Sequence, residues 1–190
     1  MVNERTTLIR DLGHTEQRAT AQTEFKLGWA APAVDTNSYQ DPAAGISLNL
    51  PPHYQPAKAD RADVRTFRSE SAEPIVVSLG HNEQLMEMPE LIKAVQENLT
   101  AGVDDYKLVS RKEVYLAGQV PAVLLQGSCM GGKSVLLTLV AMDGARLANA
   151  TGGAPAGNAA AIAALEQILL SLRLSEGRLT AGREPTSPDR

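Results

Sequence analysis

Apolar and polar residues are arranged along residues 41–175 in an order that predicts strands, a helix, further strands and a second helix. Ile46–Leu50 alternates apolar and polar side chains, which is typical of a half-buried strand. Residues 64–69 alternate loosely, whereas 74–79 form a continuous β-branched run that is expected nearer the centre of a sheet. In residues 88–99 apolar side chains recur every three or four positions, which predicts an amphipathic helix ending shortly afterwards at a glycine.

The second half of this region predicts antiparallel strands in close succession. Segment 106–116 predicts one long strand or two short ones. The apolar runs 120–126 and 135–142 are joined by a glycine-rich linker, which favours a β-hairpin. A further strand is expected at 145–150, after the turn signal Asp143-Gly144.

The end of the region predicts a closing helix, and the whole order indicates an α+β fold. The string Gly152-Gly-Ala-Pro155 is expected to break the sheet, and an alanine-rich helix is predicted from about residue 158 to 173. Strand runs with two main helices indicate an antiparallel sheet covered by those helices, in a domain spanning 41–175. Residues 176–190 are interpreted as a disordered polar tail. Four side chains are expected to be buried in the core: Leu91, Val95, Leu165 and Leu169.

Residues 1–40 form an N-terminal arm that is expected to be partly flexible. It nevertheless contains Phe25 and Trp29, in a chain with only 2 Phe and 1 Trp. A purely disordered arm would be poor in aromatic residues. Two interpretations stay open: the arm is a linker with two stray aromatics, or Phe25 and Trp29 dock on an open surface of the domain until a partner displaces them.

One string matches a known chemical motif. Gly127-Ser-Cys-Met-Gly-Gly-Lys-Ser134 fits the phosphate-binding pattern G-x-x-x-x-G-K-[ST], in which Gly127, Gly132, Lys133 and Ser134 would hold a nucleotide. Such a loop works where a strand enters it and a helix leaves it. The run after Ser134 has no polar face for a surface helix, so a hairpin is the preferred interpretation and nucleotide binding the alternative.

Composition and charge argue against several further classes of function. The net charge of −4 disfavours a general nucleic-acid role, and the basic residues Lys58, Arg61, Arg65 and Arg68 are interleaved with aspartates. With 1 Cys and 3 scattered His, neither an internal disulfide nor a metal site is expected. No apolar stretch is long enough to span a membrane, and the N-terminus lacks an export signal. As written, the chain is expected in the cytoplasm, or in the periplasm or cell envelope if a signal segment is missing.

Other candidate catalytic groups have simpler explanations. Asp104-Asp105 follows the first predicted helix at a turn, where aspartate is common for conformational reasons. His81-Asn82-Glu83 lies in a similar loop, and no G-x-S-x-G nucleophile motif occurs. Lys133 near Cys129 could lower the thiol pKa, but a small residue in a turn is the preferred interpretation. The chain is therefore predicted not to be an enzyme.

Several strings in this order resemble the family of DcrB envelope proteins and PsbP-like proteins. They include Gly45-Ile-Ser-Leu-Asn-Leu-Pro51, Pro74-Ile-Val-Val-Ser, Tyr106-Lys-Leu-Val-Ser and the closing Ile168-Leu-Leu-Ser-Leu. The resemblance implies a PsbP-like α/β sandwich and a non-enzymatic binding protein without a cofactor. It also implies another protein as partner, with roles as an adaptor chaperone or an envelope-associated protein; a ligand-binding envelope protein is a further alternative.

Overall fold

The computed structural model describes residues 37–58, 61–83, 86–117 and 119–175. The arm residues Phe25 and Trp29 and the tail 176–190 lie outside the described residues. Within them, the elements in chain order are β1 (Asn37–Asp41), β2 (Ile46–Leu50), β3 (Gln55–Ala57), β4 (Val64–Arg68), β5 (Ile75–His81), α1 (Met88–Gly102), β6 (Lys107–Leu116), β7 (Val120–Cys129), β8 (Ser134–Asp143), β9 (Arg146–Pro155), α2 (Ala159–Leu170) and β10 (Arg173–Leu174).

Seven strands form one antiparallel sheet in the order β3-β4-β5-β9-β8-β7-β6. The four strands β6 to β9 follow one another in both chain and sheet, because tight turns connect them. β9 then pairs with β5, whose register runs from Ile75 opposite Gly152 to His81 opposite Arg146. The α+β architecture predicted from the sequence, an antiparallel sheet with two main helices, is confirmed.

A second sheet of three strands has the order β1-β2-β10. Its last strand is only two residues long and pairs with β2 through Arg173 opposite Ser47. An ion pair connects the small sheet to the large one: Arg65 Nε in β4 lies 2.7 Å from Asp41 Oδ2 at the end of β1. Tyr39 packs edge-on against Phe67, with ring centroids 4.8 Å apart.

The two faces of the large sheet are covered by different elements. The face that carries α2 and the small sheet, here called the α2 face, holds the larger apolar core. The other face, here called the α1 face, packs against α1 through a smaller cluster. The α2-face core includes Leu48, Phe67, Val77, Leu137, Leu139, Leu165, Leu169 and Leu172. The α1-face cluster consists of Leu91, Ile92, Val95, Val123, Leu125 and Val140. All four predicted core residues are buried, from Leu169 at 0% to Val95 at 9% exposure.

The prediction that the sheet breaks at Gly152 is wrong. β9 continues to Pro155, because β5 and β8 pair with it on both sides as far as Gly152 and Pro155 respectively. A Cβ atom at Gly152 would lie 2.7 Å from Leu165 Cδ1 of α2. The glycine therefore lets the closing helix approach the strand closely, instead of ending the strand.

Several other elements also differ from the sequence prediction. Among the described residues the first strand, β1, begins at Asn37, within the segment that was assigned to the arm. β3 was not predicted, and α2 ends at Leu170 because Ser171 caps it and the chain then turns into β10. Segment 106–116 forms one long strand, whose register with β7 shifts at a bulge between Leu108 and Ser110.

Candidate functional site

The phosphate-motif string 127–134 forms the end of a β-hairpin, as the apolar pattern predicted. β7 runs through Gly127 to Cys129, a tight turn follows, and β8 begins at Ser134. The turn needs left-handed backbone: φ is 54° at Met130, 67° at Gly131 and 81° at Gly132. Gly131 and Gly132 are thus explained by the turn, because glycine adopts positive φ without steric cost.

The backbone N–H groups that would cradle a phosphate are engaged elsewhere. Gly132 donates to the Cys129 carbonyl at 3.0 Å and Lys133 to the Met130 carbonyl at 3.4 Å. Met130 donates to the carbonyl of Asp104 at 3.4 Å. Since a strand, and no helix, follows Ser134, the hairpin also lacks the helix dipole that favours an anion in phosphate loops.

Gly127 has a packing role against Tyr106. A Cβ atom at position 127 would lie 2.1 Å from Tyr106 Cε2, so the aromatic ring occupies the space above the glycine. Burial raises the pKa of the Tyr106 hydroxyl, with a smaller contribution from Cys129. In the described part of the chain, this hydroxyl is the one buried side-chain oxygen or nitrogen without a hydrogen-bond partner.

The cysteine in the same string is buried and only 5% exposed. Its Sγ lies 3.7 Å from the carbonyl oxygen of Ser134, to which the thiol donates. Burial raises the pKa of the Cys129 thiol, with Glu73 adding to the effect. Because the thiolate is the reactive form, this environment suits a packed side chain. Cys129 is the last residue of β7, and the turn in which the sequence placed it begins at the next residue.

The remaining polar candidates are structural. Asn82 is buried and holds its own loop, donating to the Met86 carbonyl at 2.7 Å and accepting from the Met86 N–H at 2.8 Å. Asp105 occupies a turn with φ of 55°. Of the basic residues that are interleaved with aspartates, Arg61 pairs with Asp63 and Arg65 with Asp41. In the described residues no group of His, Cys, Asp and Glu could hold a metal ion, and no helix is long and apolar enough to cross a membrane.

The most unusual surface is the long edge strand β6. Its ten residues are exposed except at the end near Leu116, and among the described strands only β7 pairs with it. Leu108, Val109 and Tyr115 are 44%, 62% and 72% exposed, and they are three of the four large apolar side chains exposed in the described residues. An edge strand offers unpaired N–H and C=O groups to another chain.

The opposite edge of the sheet differs in both length and composition. β3 has three residues, and its middle residue is Pro56, which has no N–H to donate. Natural proteins protect sheet edges with short strands and proline. Of the two edges of the large sheet in the described residues, the β6 edge therefore has the length and apolar content to accept an extended segment.

A groove of about 220 Å³ lies beside β6, where the first residues of α1 approach the sheet. Met88 and Pro89 form its helical wall, and Pro121 and Val123 of β7 belong to its floor. The β6 side carries Arg111, Glu113 and Tyr115, with Arg111 Nη2 lying 3.9 Å from Glu113 Oε1.

From the sequence, Phe25 and Trp29 were the candidate partner-binding residues, docked on an open surface of the domain. Both lie outside the described residues, and the sequence prediction did not identify β6 as an exposed edge. The segment 106–116 was recognised as a strand. Its apolar residues Leu108, Val109 and Tyr115 do not follow a strict alternation with the charged ones. That irregularity was the available signal of an edge, since a strand buried on one face keeps a period of two.

Comparison with solved structures finds a similar fold. The solution structure of cyanobacterial PsbP (CyanoP) from Synechocystis sp. PCC 6803 matches with a TM-score of 0.59, over 76% of this chain and 95% of that chain, at 13% identity. The fold is PsbP-like.

Two other structures have lower TM-scores. A Pseudomonas aeruginosa protein of unknown function is 16% identical, with a TM-score of 0.48 over 72% of this chain and 94% of its own. A Bacteroides thetaiotaomicron protein is 14% identical, with a TM-score of 0.44 over 73% of this chain and 48% of its own. No family model and no curated protein sequence matches the chain.

Proposed function

We propose that this PsbP-like domain is a non-enzymatic protein-binding module, related to the DcrB/PsbP-like proteins, that binds an extended segment of another protein along β6. The single observation that carries the proposal is the exposed edge strand with Val109 at 62% and Tyr115 at 72% exposure. An extended segment can add to such an edge through main-chain hydrogen bonds.

The groove beside β6 adds side-chain selectivity to this main-chain recognition. A strand that pairs with β6 sends alternate side chains to the α1 face, because strand side chains have a period of two. There the groove between Met88, Pro89 and Tyr115 offers apolar contact, and Arg111 and Glu113 offer polar contact. We infer that the preferred partner segment alternates apolar anchors with polar residues.

Adaptor-chaperone and envelope-associated roles share this chemistry, because each requires a client segment to be held without being changed. The environments of the catalytic candidates support the non-enzymatic proposal. Cys129 is buried with a raised thiol pKa, Asn82 is engaged with Met86, and the N–H groups of Gly132 and Lys133 are used within the hairpin turn.

A peptide-display selection on the folded chain tests the proposal. Random peptides are selected, and the recovered ones are titrated by fluorescence anisotropy. We expect them to alternate apolar and polar residues and to lose about tenfold in affinity with Val109→Lys, because a lysine on the edge strand opposes pairing.

Met130→Lys is the matched control. Met130 is 64% exposed, close to the exposure of Val109, but lies in the hairpin turn. It should bind the peptides as the unaltered chain does. Hydrogen exchange should show new protection of β6 amides on peptide binding. Peptides that bind equally well to both variants, or that protect other strands, would show that the binding surface lies elsewhere.

A further inference from the structure

The charges along β6 are arranged so that the strand is complementary to itself. Arg111 and Glu113 lie two positions apart on the α1 face, where both line the groove. Lys112, between them, lies on the α2 face, with its Nζ 3.2 Å from Glu166 Oε1 of α2. In an antiparallel pair of two copies of β6, the register determines which of these charged side chains lie opposite each other.

We propose that a second copy of this chain pairs antiparallel with β6 about a two-fold axis at Lys112, extending the large sheet across both copies. A closed two-fold dimer uses the same surface on both subunits. In this register Arg111 of each copy lies opposite Glu113 of the other, at the roughly 5 Å spacing of directly opposed residues. Two opposite-charge pairs therefore form across the axis.

Neighbouring registers are less favourable. The two-fold axis keeps every side chain on its own face, so only residues of the same face can lie opposite each other. An axis at Arg111 would place this arginine opposite its own copy, and an axis at Glu113 would oppose two carboxylates. Like charges directly opposite each other destabilise a strand pair. Among axes at these three positions, the one at Lys112 alone pairs opposite charges.

The Lys112 side chains meet at the axis, but each already has a carboxylate beside it. Glu166 Oε1 is 3.2 Å from Lys112 Nζ, so the α2 side of the interface would hold two lysines and two glutamates. Lys112 and Glu166 are also partly shielded, with side-chain exposures of 44% and 22%. This balance offsets the repulsion between the two ammonium groups.

The same register brings together the exposed apolar residues. Ser110 lies opposite Val114 of the second copy, and beyond this pair Val109, at the bulge of β6, and Tyr115 lie within the interface. These two side chains are 62% and 72% exposed in the single chain, so pairing removes them from water. Burial of these two side chains therefore adds to the charge pairs in favouring self-pairing of β6.

This self-pairing does not depend on the proposed function. If both hold, the second copy and a partner segment compete for β6, and partner affinity falls as the protein concentration rises.

Sedimentation equilibrium from micromolar to millimolar concentration tests the dimer. We expect a monomer–dimer equilibrium that Arg111→Glu or Glu113→Arg each weakens about tenfold or more, because two attractive pairs become repulsive. The double variant Arg111→Glu/Glu113→Arg should recover the dimer.

A mixture of the two single variants should form heterodimers. One variant then carries carboxylates at both positions and the other carries guanidinium groups at both, so opposite charges face each other again across the axis. The control is Lys93→Glu, on the exposed face of α1. It reverses a positive charge as Arg111→Glu does, and it should leave the equilibrium unchanged.

Cross-linking tests the register. Lys112→Cys places a thiol opposite its own copy at the axis, so a short bismaleimide should join two chains, while Glu97→Cys on α1 should stay uncross-linked. A chain that is monomeric throughout the concentration range overturns the proposal. So does a dimer that the charge reversals leave unchanged, or in which the mixed variants fail to associate.

Discussion

The two faces of the seven-stranded sheet contribute unequally to the protein. The α2 face carries the larger core, with Leu48, Phe67 and Leu169 all at 0% exposure. The α1 face has six buried apolar residues, the unpartnered Tyr106 hydroxyl and, at its margin, the groove beside β6. A domain whose stability comes mainly from one face can tolerate grooves and unpaired polar groups on the other.

The largest expected effect is the loss of a leucine from the α2 face. Leu169→Ala should lower the free energy of unfolding by about 3–5 kcal/mol, because the fully buried site leaves a cavity. Leu91→Ala, on the α1 face and 8% exposed, should cost about 2 kcal/mol, at the lower end for such changes. Urea denaturation measures both. Equal losses in the free energy of unfolding would contradict the expected difference between the two faces.

Gly127→Ala should cost about 3 kcal/mol, the upper part of the range for overpacking, since the new methyl group meets the Tyr106 ring. Tyr106→Leu, which removes the ring, should recover part of the loss in the double variant. A double-mutant cycle from urea denaturation measures this coupling. Additive effects would mean that the glycine is required for another reason.

Asp41 provides a pH test on the α2 side of the molecule. Burial alone would raise the pKa of Asp41, but the Ala44 N–H and the Arg65 guanidinium together lower it below its ordinary value. The unfolded chain has the ordinary pKa of about 3.9. The carboxylate therefore stabilises the fold fully above that pH, and the contribution is lost as the pH falls through the lower folded pKa.

Asp41→Asn should cost about 2 kcal/mol at neutral pH, because it leaves the partly buried Arg65 without its ion-pair partner. The difference from the unaltered chain should shrink on acidification below about pH 4. Thermal melts across the pH range measure it. A difference that stays constant down to acid pH would show that the ion pair does not connect the sheets energetically.

Tyr106→Phe is expected to raise the free energy of unfolding by about 1 kcal/mol, because it removes a buried hydroxyl without a hydrogen-bond partner. The matched control is Tyr54→Phe on the α2 face, where the hydroxyl donates to the Glu73 carbonyl at 3.1 Å and its loss should be destabilising. Opposite signs in urea denaturation would confirm the difference between the two faces. If both variants have a lower free energy of unfolding, the Tyr106 hydroxyl has a hydrogen-bond partner in solution.

The smallest expected effect is that of Lys133→Ala, which should change neither stability nor nucleotide binding. Lys133 is in the hairpin turn and should contribute to neither face, so Lys133→Ala should leave stability unchanged. Calorimetric titration with ATP and Mg²⁺ should show no saturable heat with either chain, because the turn N–H groups are already bonded. Saturable binding that Lys133→Ala abolishes would restore the nucleotide alternative.

The sequence predicted those parts of the fold that depend on local side-chain periodicity. The helix α1 and the β7–β8 hairpin follow from apolar spacing and turn residues, and both are confirmed. The strands β3 and β10 have too few residues for a period, since their pairing comes from distant partners. Gly152 was predicted to break the sheet because a local sequence pattern does not show which residues it contacts across the sheet and in α2.

The candidate site was less predictable for the same reason. Whether β6 is an edge depends on which strands pair with its neighbours, and the sequence of Lys107–Leu116 does not encode that order locally. The phosphate-motif string is a local pattern whose physical cause is not local. Gly127 satisfies a motif, but Tyr106, from a distant turn, determines why a glycine is needed.

The strand order has a consequence for how the chain acquires its structure. The hairpins among β6 to β9 pair strands that are adjacent in the chain, so each closes a short loop at little entropic cost. The pairing of Ser47 with Arg173 joins the first part of the domain to its last strand. Such long-range contacts form slowly. During synthesis the β6–β9 hairpins can therefore form while β10 is still in the ribosome, and β2 acquires its second neighbour only after translation has passed Leu174.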